Sequence, residues 1–266
     1  MLAALILAPL TAVAAPSRLM ARPPVPAPPV PAPPVPSHVV SLNLCADQYL
    51  VRLAPGRIAA LSPLARDPRL SMVAEPAARL PVVRADAEAV LRLAPDLVLA
   101  GPFAARATTT ALEAQGVTVA MLAMPQDFPA IRAETERLGA LLGAPGAARA
   151  WLDAMAADLA HGGPGHARAL IWEPRGWTAG PGSLGDAVLR AAGDTNLGTG
   201  GRIGLEALLA HPPGLLVTAT DAAFPSLATD LLRHPAIARL PRLALPPALL
   251  VCGTPDTARA VALLRR

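Results

Sequence analysis

The sequence contains no lysine, and its 23 basic residues are all arginines scattered along 266 positions. A nucleic-acid surface shows clustered cations with interleaved aromatics, so this scatter argues against a polyanion partner despite a net charge of +4. Charged residues make up only 16% of the chain and hydrophobic ones 53%, which excludes bulk disorder and supplies material for a sizeable core. The five histidines (His38, His161, His166, His211, His234) form no H-x-x-x-H pair. Two of them, His211 and His234, stand directly before prolines, and a carrier that holds zinc or manganese on histidines is disfavoured. No spaced acid–base cluster is present.

The opening segment is read as an export signal. Leu2 to Val13 is an apolar run too short to span a bilayer, and Ala12-Val13-Ala14 fits small-x-small cleavage near Ala14 or Ala15. It lacks a basic flank, and no cysteine follows closely enough for a lipid anchor. The expected organisation is a signal over 1–15, a Pro-rich linker over 16–37, an N-terminal lobe over 38–125, a helical connector over 126–165 and a C-terminal lobe over 166–266. The linker repeats Val-Pro-Ala-Pro-Pro at 25–29 and 30–34, a composition that favours a stiff polyproline II spacer.

Beyond His38, short apolar runs alternate with helical patterns. Strands are expected at 39–42, 57–61, 97–100 and 117–122, with helices at 46–53, 85–93 and 105–115 between them. This alternation predicts an α/β fold with mainly parallel sheets. Asp127 is the expected cap of a helix ending near Leu142, and Pro145 suits the first turn of a second helix reaching about Ala160. Alternation resumes at Ala167 to Trp172. The chain also echoes itself. Glu88-Ala-Val-Leu precedes Pro95 and Leu97-Val98-Leu99, and Glu206-Ala-Leu-Leu precedes Pro213 and Leu215-Leu216-Val217. The spacing from Glu to Pro is seven in both copies, which suggests two related lobes.

In open parallel sheets ligands sit beyond the C-terminal ends of the strands. The loops expected there are 43–47, 62–67, 101–104 and 124–125 in the first lobe, and 173–182, 200–204 and 218–224 in the second. Seven aromatics occur in the whole chain, and Phe103, Trp172, Trp177 and Phe224 fall in or beside these loops. Rings at loop ends suit stacking on a planar or macrocyclic ligand, and Arg66, Arg175 and Arg202 suit anionic groups. Inward packing of Trp172 and plain solvation of the arginines are the alternatives. Gly180 to Gly185 satisfies G-x-G-x-x-G, but it starts eight residues after Trp172 and has no acid about 20 positions on, so it reads as a helix cap at Ser183. Ser183 also lacks the flanking glycine of a nucleophile elbow.

The stretches Val39-Val40-Ser41-Leu42-Asn43, Ala87 to Leu99, and Gly116-Val117 resemble the periplasmic iron-siderophore and cobalamin binding proteins. The resemblance runs over roughly 39–266 and is looser in the second lobe, where Gly214 follows Pro213. It implies two Rossmann-like lobes joined by a long α-helix, with Asn43 and the loop residues named above around an inter-lobe cleft. It implies a monomeric, periplasmic, non-enzymatic component of an ABC importer that takes a ferric siderophore, a corrinoid or haem and needs no cofactor of its own. Glu88 and Glu206 would then dock on arginines of a permease dimer. An exported enzyme or cofactor-processing protein on the same scaffold, around a metal cluster or tetrapyrrole, is the second reading. Exported chains tend to pair their cysteines, so Cys45 and Cys252 are expected either to bridge the lobes or to be buried free thiols.

Overall fold

The computed structural model describes residues 34–102, 106–163, 165, 167–219 and 234–265. Phe103 and Phe224 fall outside that set.

The first lobe runs β1 (Val39–Ser41), α1 (Leu44–Leu53), β2 (Ile58–Ala60), α2 (Ala74–Ala77), α3 (Ala87–Leu91), β3 (Leu97–Ala100), α4 (Arg106–Ala114) and β4 (Thr118–Met121). Helices α5 (Phe128–Leu141) and α6 (Pro145–Ala160) follow. The second lobe runs β5 (Arg168–Ile171), α7 (Leu184–Ala192), β6 (Thr195–Asn196), α8 (Leu205–Ala210), β7 (Leu215–Ala219), β8 (Arg242–Leu245), α9 (Ala248–Val251) and α10 (Ala258–Leu264). Both sheets are four-stranded and parallel, ordered β2-β1-β3-β4 and β6-β5-β7-β8, so the second repeats the first position for position.

The central strands are apolar on both faces because helices cover both. Val39, Leu97 and Leu99 enter one core with Tyr49 and Leu50, while Val40 and Val98 meet Val90 and Leu112 on the other face. In the second lobe Ala169, Ile171 and Val217 face one core, and Leu170, Trp172 and Leu216 face the other.

The sequence echo has a structural counterpart in one hydrogen bond. Asp96 N–H donates to the His38 carbonyl (3.0 Å) as β3 starts beside β1, and Gly214 N–H donates to the Arg168 carbonyl (2.8 Å) as β7 starts beside β5. The first copy adds a carboxylate, because Asp96 accepts from Ser37 N–H, Ser37 hydroxyl and His38 N–H. The glycine of the second copy keeps the backbone bond without that clamp.

Helix α5 is capped by Asp127, whose Oδ1 accepts from Ala130 N–H (2.8 Å), and Pro145 opens α6. At 16 residues α6 spans about 24 Å and is the longest helix among the described residues. Ala148 and Trp151 at its start belong to the first-lobe core, Leu152 and Met155 pack on Ile131, Leu184 and Ala258, and Leu159 at its end reaches the second-lobe core.

A second connection runs beside it. Cys45, Tyr49 and Arg52 lie at i, i+4 and i+7, on one face of α1, and all three grip the strap after α9. Cys45 is disulfide-bonded to Cys252 with Cα atoms 5.4 Å apart. Tyr49 hydroxyl donates to the Gly253 carbonyl (3.1 Å), and Arg52 pairs with Asp256 (3.1 Å). Trp151 N–H also donates to Asp256 (3.3 Å), with its ring edge-on to Tyr49 and under the Arg52 guanidinium. A Cβ at Gly253 would collide with the Pro125 carbonyl, so only glycine lets the strap lie this close to the first lobe.

Several elements differ from expectation. Helix α3 is five residues long, shorter than 85–93, because Asp86 caps it by accepting from Ala89 N–H and Ala94 takes a positive φ of 46° before Pro95. The short α2 and the two-residue β6 carry too little periodic pattern to be read from sequence.

Candidate ligand cleft

The strands of each sheet end at one edge, and the loops leaving that edge form the rim. In the first lobe Asn43 follows β1, Ser62 to Asp67 lies beyond β2, Gly101 and Pro102 follow β3, and Leu122 to Pro125 follow β4. Asn43 caps α1: its Oδ1 accepts from Cys45 N–H (2.8 Å) and Ala46 N–H (3.3 Å). A Cβ at Gly101 would overlap the Asn43 carboxamide, so glycine there gives the cap its space. Only the Asn43 amide nitrogen is left over for a ligand.

Asp47, fully buried on α1, ties the β2 loop to the rim. Its carboxylate accepts from Ser62 N–H (2.9 Å) and Ser62 hydroxyl (2.5 Å). Burial raises its pKa from 3.8 to about 6, against the opposing hydrogen bonds from Ser41 and Ser62. The folded protein therefore binds this proton before the unfolded chain does. The associated stability is fully present below about pH 4 and is lost as pH rises through 6. A rise from 3.8 to about 6 corresponds to about 3 kcal/mol. Asp47→Asn stays neutral at every pH, so the wild-type melting temperature should fall relative to that of the variant as pH rises from 4 to 7. Parallel profiles would contradict the assignment.

Arg66 is exposed, and its guanidinium donates to the carbonyls of Ala77 (3.3 Å) and Leu80 (2.5 Å), at and beyond the end of α2, with two of its five N–H groups. Trp172 is a correction. It continues the alternation of β5 inward, is fully buried against Leu208, Leu216 and Ile237, and donates its indole N–H to the Ile203 carbonyl (3.0 Å).

Three other expected residues come together. Residues 176–178 pair antiparallel with 201–203, through Thr178 N–H to Gly201 (3.0 Å) and Ile203 N–H to Gly176 (2.8 Å). Trp177 rides on this ribbon and is 47% exposed. Arg202 Nε donates to the Arg175 carbonyl (3.0 Å), and both arginines are exposed. Arg175 holds φ at 62°, a left-handed conformation costly for a residue with a Cβ. Among the described residues no carboxylate pairs with either arginine. Beside them, at the ends of β5, β7 and β8, lies a recess of 290 Å³ bounded by Glu173, Pro174, Thr218, Pro247, Leu250 and Val251.

Leu64, Met124 and Val251 are also exposed apolar residues on or beside rim loops. Sequence reasoning that sought rings and cations passed over them, although an aliphatic side chain in a proline-bracketed loop was the available cue. The remaining motifs are structural: Ser183 caps α7 by accepting from Asp186 N–H (3.2 Å), as the glycine-rich stretch suggested. Glu88 and Glu206 are exposed and are each the second residue of their helix, α3 and α8, at equivalent places in the two lobes. Among the described residues no cluster of three His, Cys, Asp or Glu side chains could hold a metal ion.

Two parallel α/β lobes, held by one long helix and a strap, with apolar and cationic side chains along their rims, define a two-lobed ligand-binding protein. The sequence profile of the periplasmic binding proteins matches residues 39–242, and the chain belongs to that family. It is a binding protein and not an enzyme. No curated protein sequence matches it. Among solved structures, it resembles a periplasmic haem-binding protein from Pseudomonas aeruginosa at 27% identity and a TM-score of 0.64, covering 87% of this chain and 93% of that one. The haem-binding protein RhuT from Roseiflexus sp. RS-1, in apo form, superposes with a TM-score of 0.66 at 22% identity, over 86% of this chain and 96% of its own. The vitamin B12 binding protein BtuF of Vibrio cholerae gives 0.62 at 19% identity, with coverage of 86% and 95%.

Proposed function

We propose that this chain is exported by a cleaved N-terminal signal, acts as a periplasmic monomer, and carries a large metal chelate to the permease dimer of an ABC importer. The cargo class comprises ferric siderophores, corrinoids and haem, bound between the lobes. The observation that carries this reading is the ribbon bearing Trp177, Arg175 and Arg202 beside an apolar recess, at the edge where parallel sheets present their ligands. Ring faces and guanidinium forks supply both kinds of contact such a chelate needs. Phe103 and Phe224, outside the described residues, belong to the same loops in sequence and are proposed as further stacking groups.

Docking is assigned to Glu88 and Glu206. A carboxylate in the first turn of a helix is favoured by the helix dipole, which accounts for either residue alone. Two exposed acids at equivalent positions of duplicated lobes also form a pair suited to a two-fold partner. Exposed ion pairs add little affinity each but set register and speed encounter. In cells lacking the native gene, Glu88→Ala/Glu206→Ala should leave chelate affinity and melting temperature nearly unchanged and abolish uptake of the labelled chelate. Uptake at the wild-type rate would remove the docking role, and lost stability would leave helix capping as the explanation.

A further inference from the structure

We infer that the cargo's metal arrives with its coordination shell already filled, so that the protein grips an organic periphery and gives the metal no ligand. This deepens the cleft reading and rests on it. Haem iron is held in proteins by imidazole, thiolate, thioether or phenolate donors, and this chain places its described histidines away from the rim. His38 immediately precedes β1, His161 ends α6 ahead of β5, His211 follows α8 just before β7, and His234 precedes β8. In a parallel sheet all strand starts lie on one edge, opposite the rim loops. His166, outside the described residues, stands two positions before β5 in sequence.

The other donors are committed elsewhere. Tyr49, the single tyrosine, is buried with its hydroxyl on the Gly253 carbonyl, and burial pushes its pKa upward, away from phenolate. Both cysteines are in the disulfide. Residues 103–105 and 220–233 contain no His, Tyr, Cys or Met. The soft donors at the described rim are thioethers: Met124 on the loop after β4 and Met121 at the end of β4 are exposed, and Met72, beyond β2, is half-buried against the second-lobe core. The rim otherwise presents a ring face, two guanidinium groups without a described carboxylate partner, and an apolar recess. Those groups read ring edges, amides, carboxylates and catecholates, which a corrinoid or a ferric siderophore displays around a saturated metal.

The test is titration of the mature protein with cyanocobalamin, a ferric tris-catecholate siderophore, haemin and metal-free protoporphyrin. Tryptophan quenching and the chelate's own absorption bands are read together. Cyanocobalamin or the ferric catecholate should quench saturably with its bands unchanged, and which of the two does so identifies the source of the periphery. Haemin should bind at least tenfold more weakly than that chelate, no better than metal-free protoporphyrin, and equally in Met121→Leu/Met124→Leu. Tighter haemin binding with a Soret shift would overturn the inference while leaving the cleft intact, and loss of that shift in Met121→Leu or in Met124→Leu would identify the donor. Saturable quenching by none of the four would count against the cleft reading and the inference together.

Discussion

Replacing Cys45 and Cys252 by serine is expected to lower the stability of the protein by about 2–5 kcal/mol, the range typical of a bond that closes a long loop. The residues are 207 positions apart, so the bond constrains most of the folded chain in its unfolded state. For a body of this size the loss corresponds to a fall in melting temperature of about 5–15 °C. The native fold should persist, because α6 and the Tyr49, Arg52 and Trp151 contacts to the strap remain. Thermal melts of the wild-type protein with and without a phosphine reductant, beside the double-serine variant, make the comparison. Equal melting temperatures would show that the disulfide contributes nothing to holding the lobes.

The two tryptophans of the β5 edge should respond in opposite ways. Trp172→Ala empties a fully buried site and orphans the Ile203 carbonyl, so it should cost about 3–5 kcal/mol of stability. Trp177→Ala removes a ring that is nearly half exposed, so melting should hardly change. Its expected effect is on affinity, where loss of an anchoring aromatic costs about 2 kcal/mol, roughly thirtyfold. Calorimetric titration and thermal melts of both variants settle the assignment. A stability loss at Trp177 with unchanged affinity would make it part of the fold.

Much of the architecture was legible because its cues are local. The apolar runs at 39–42 and 97–100 are buried from both sides, and such strands show as unbroken hydrophobic stretches. Pro145 marked the start of α6, and the repeated Glu-to-Pro spacing marked a duplication that the strand orders repeat. Elements of two to four residues, such as β6 and α2, carry no period long enough to read. The site was less legible because contact direction is a tertiary property. Arg66 sits in a rim loop by sequence, but α2 and the turn after it, which were not foreseen, supply the two carbonyls it donates to. Trp172 and Trp177 both follow a strand within a few residues. Only the side-to-side alternation through Leu170 and Trp172 separates the inward ring from the outward one. Carbonyl clamping by arginine recurs away from the cleft, with Arg57 on Leu142 and Arg265 on Leu159 and Ala191. Cationic side chains in this lysine-free chain thus close helix ends as well as lining a rim.

The most direct test of the cleft is hydrogen exchange of the protein with and without the chelate of the titration panel that binds most tightly. Exchange should slow on both lobes at the strand C-terminal edge: at 62–67, 101–102 and 122–125 in the first, and at 173–178 and 201–203 in the second. The loops before β1, β5 and β7, at the opposite edge, should be unaffected. Protection confined to one lobe, or appearing at the strand starts, would contradict capture between the lobes.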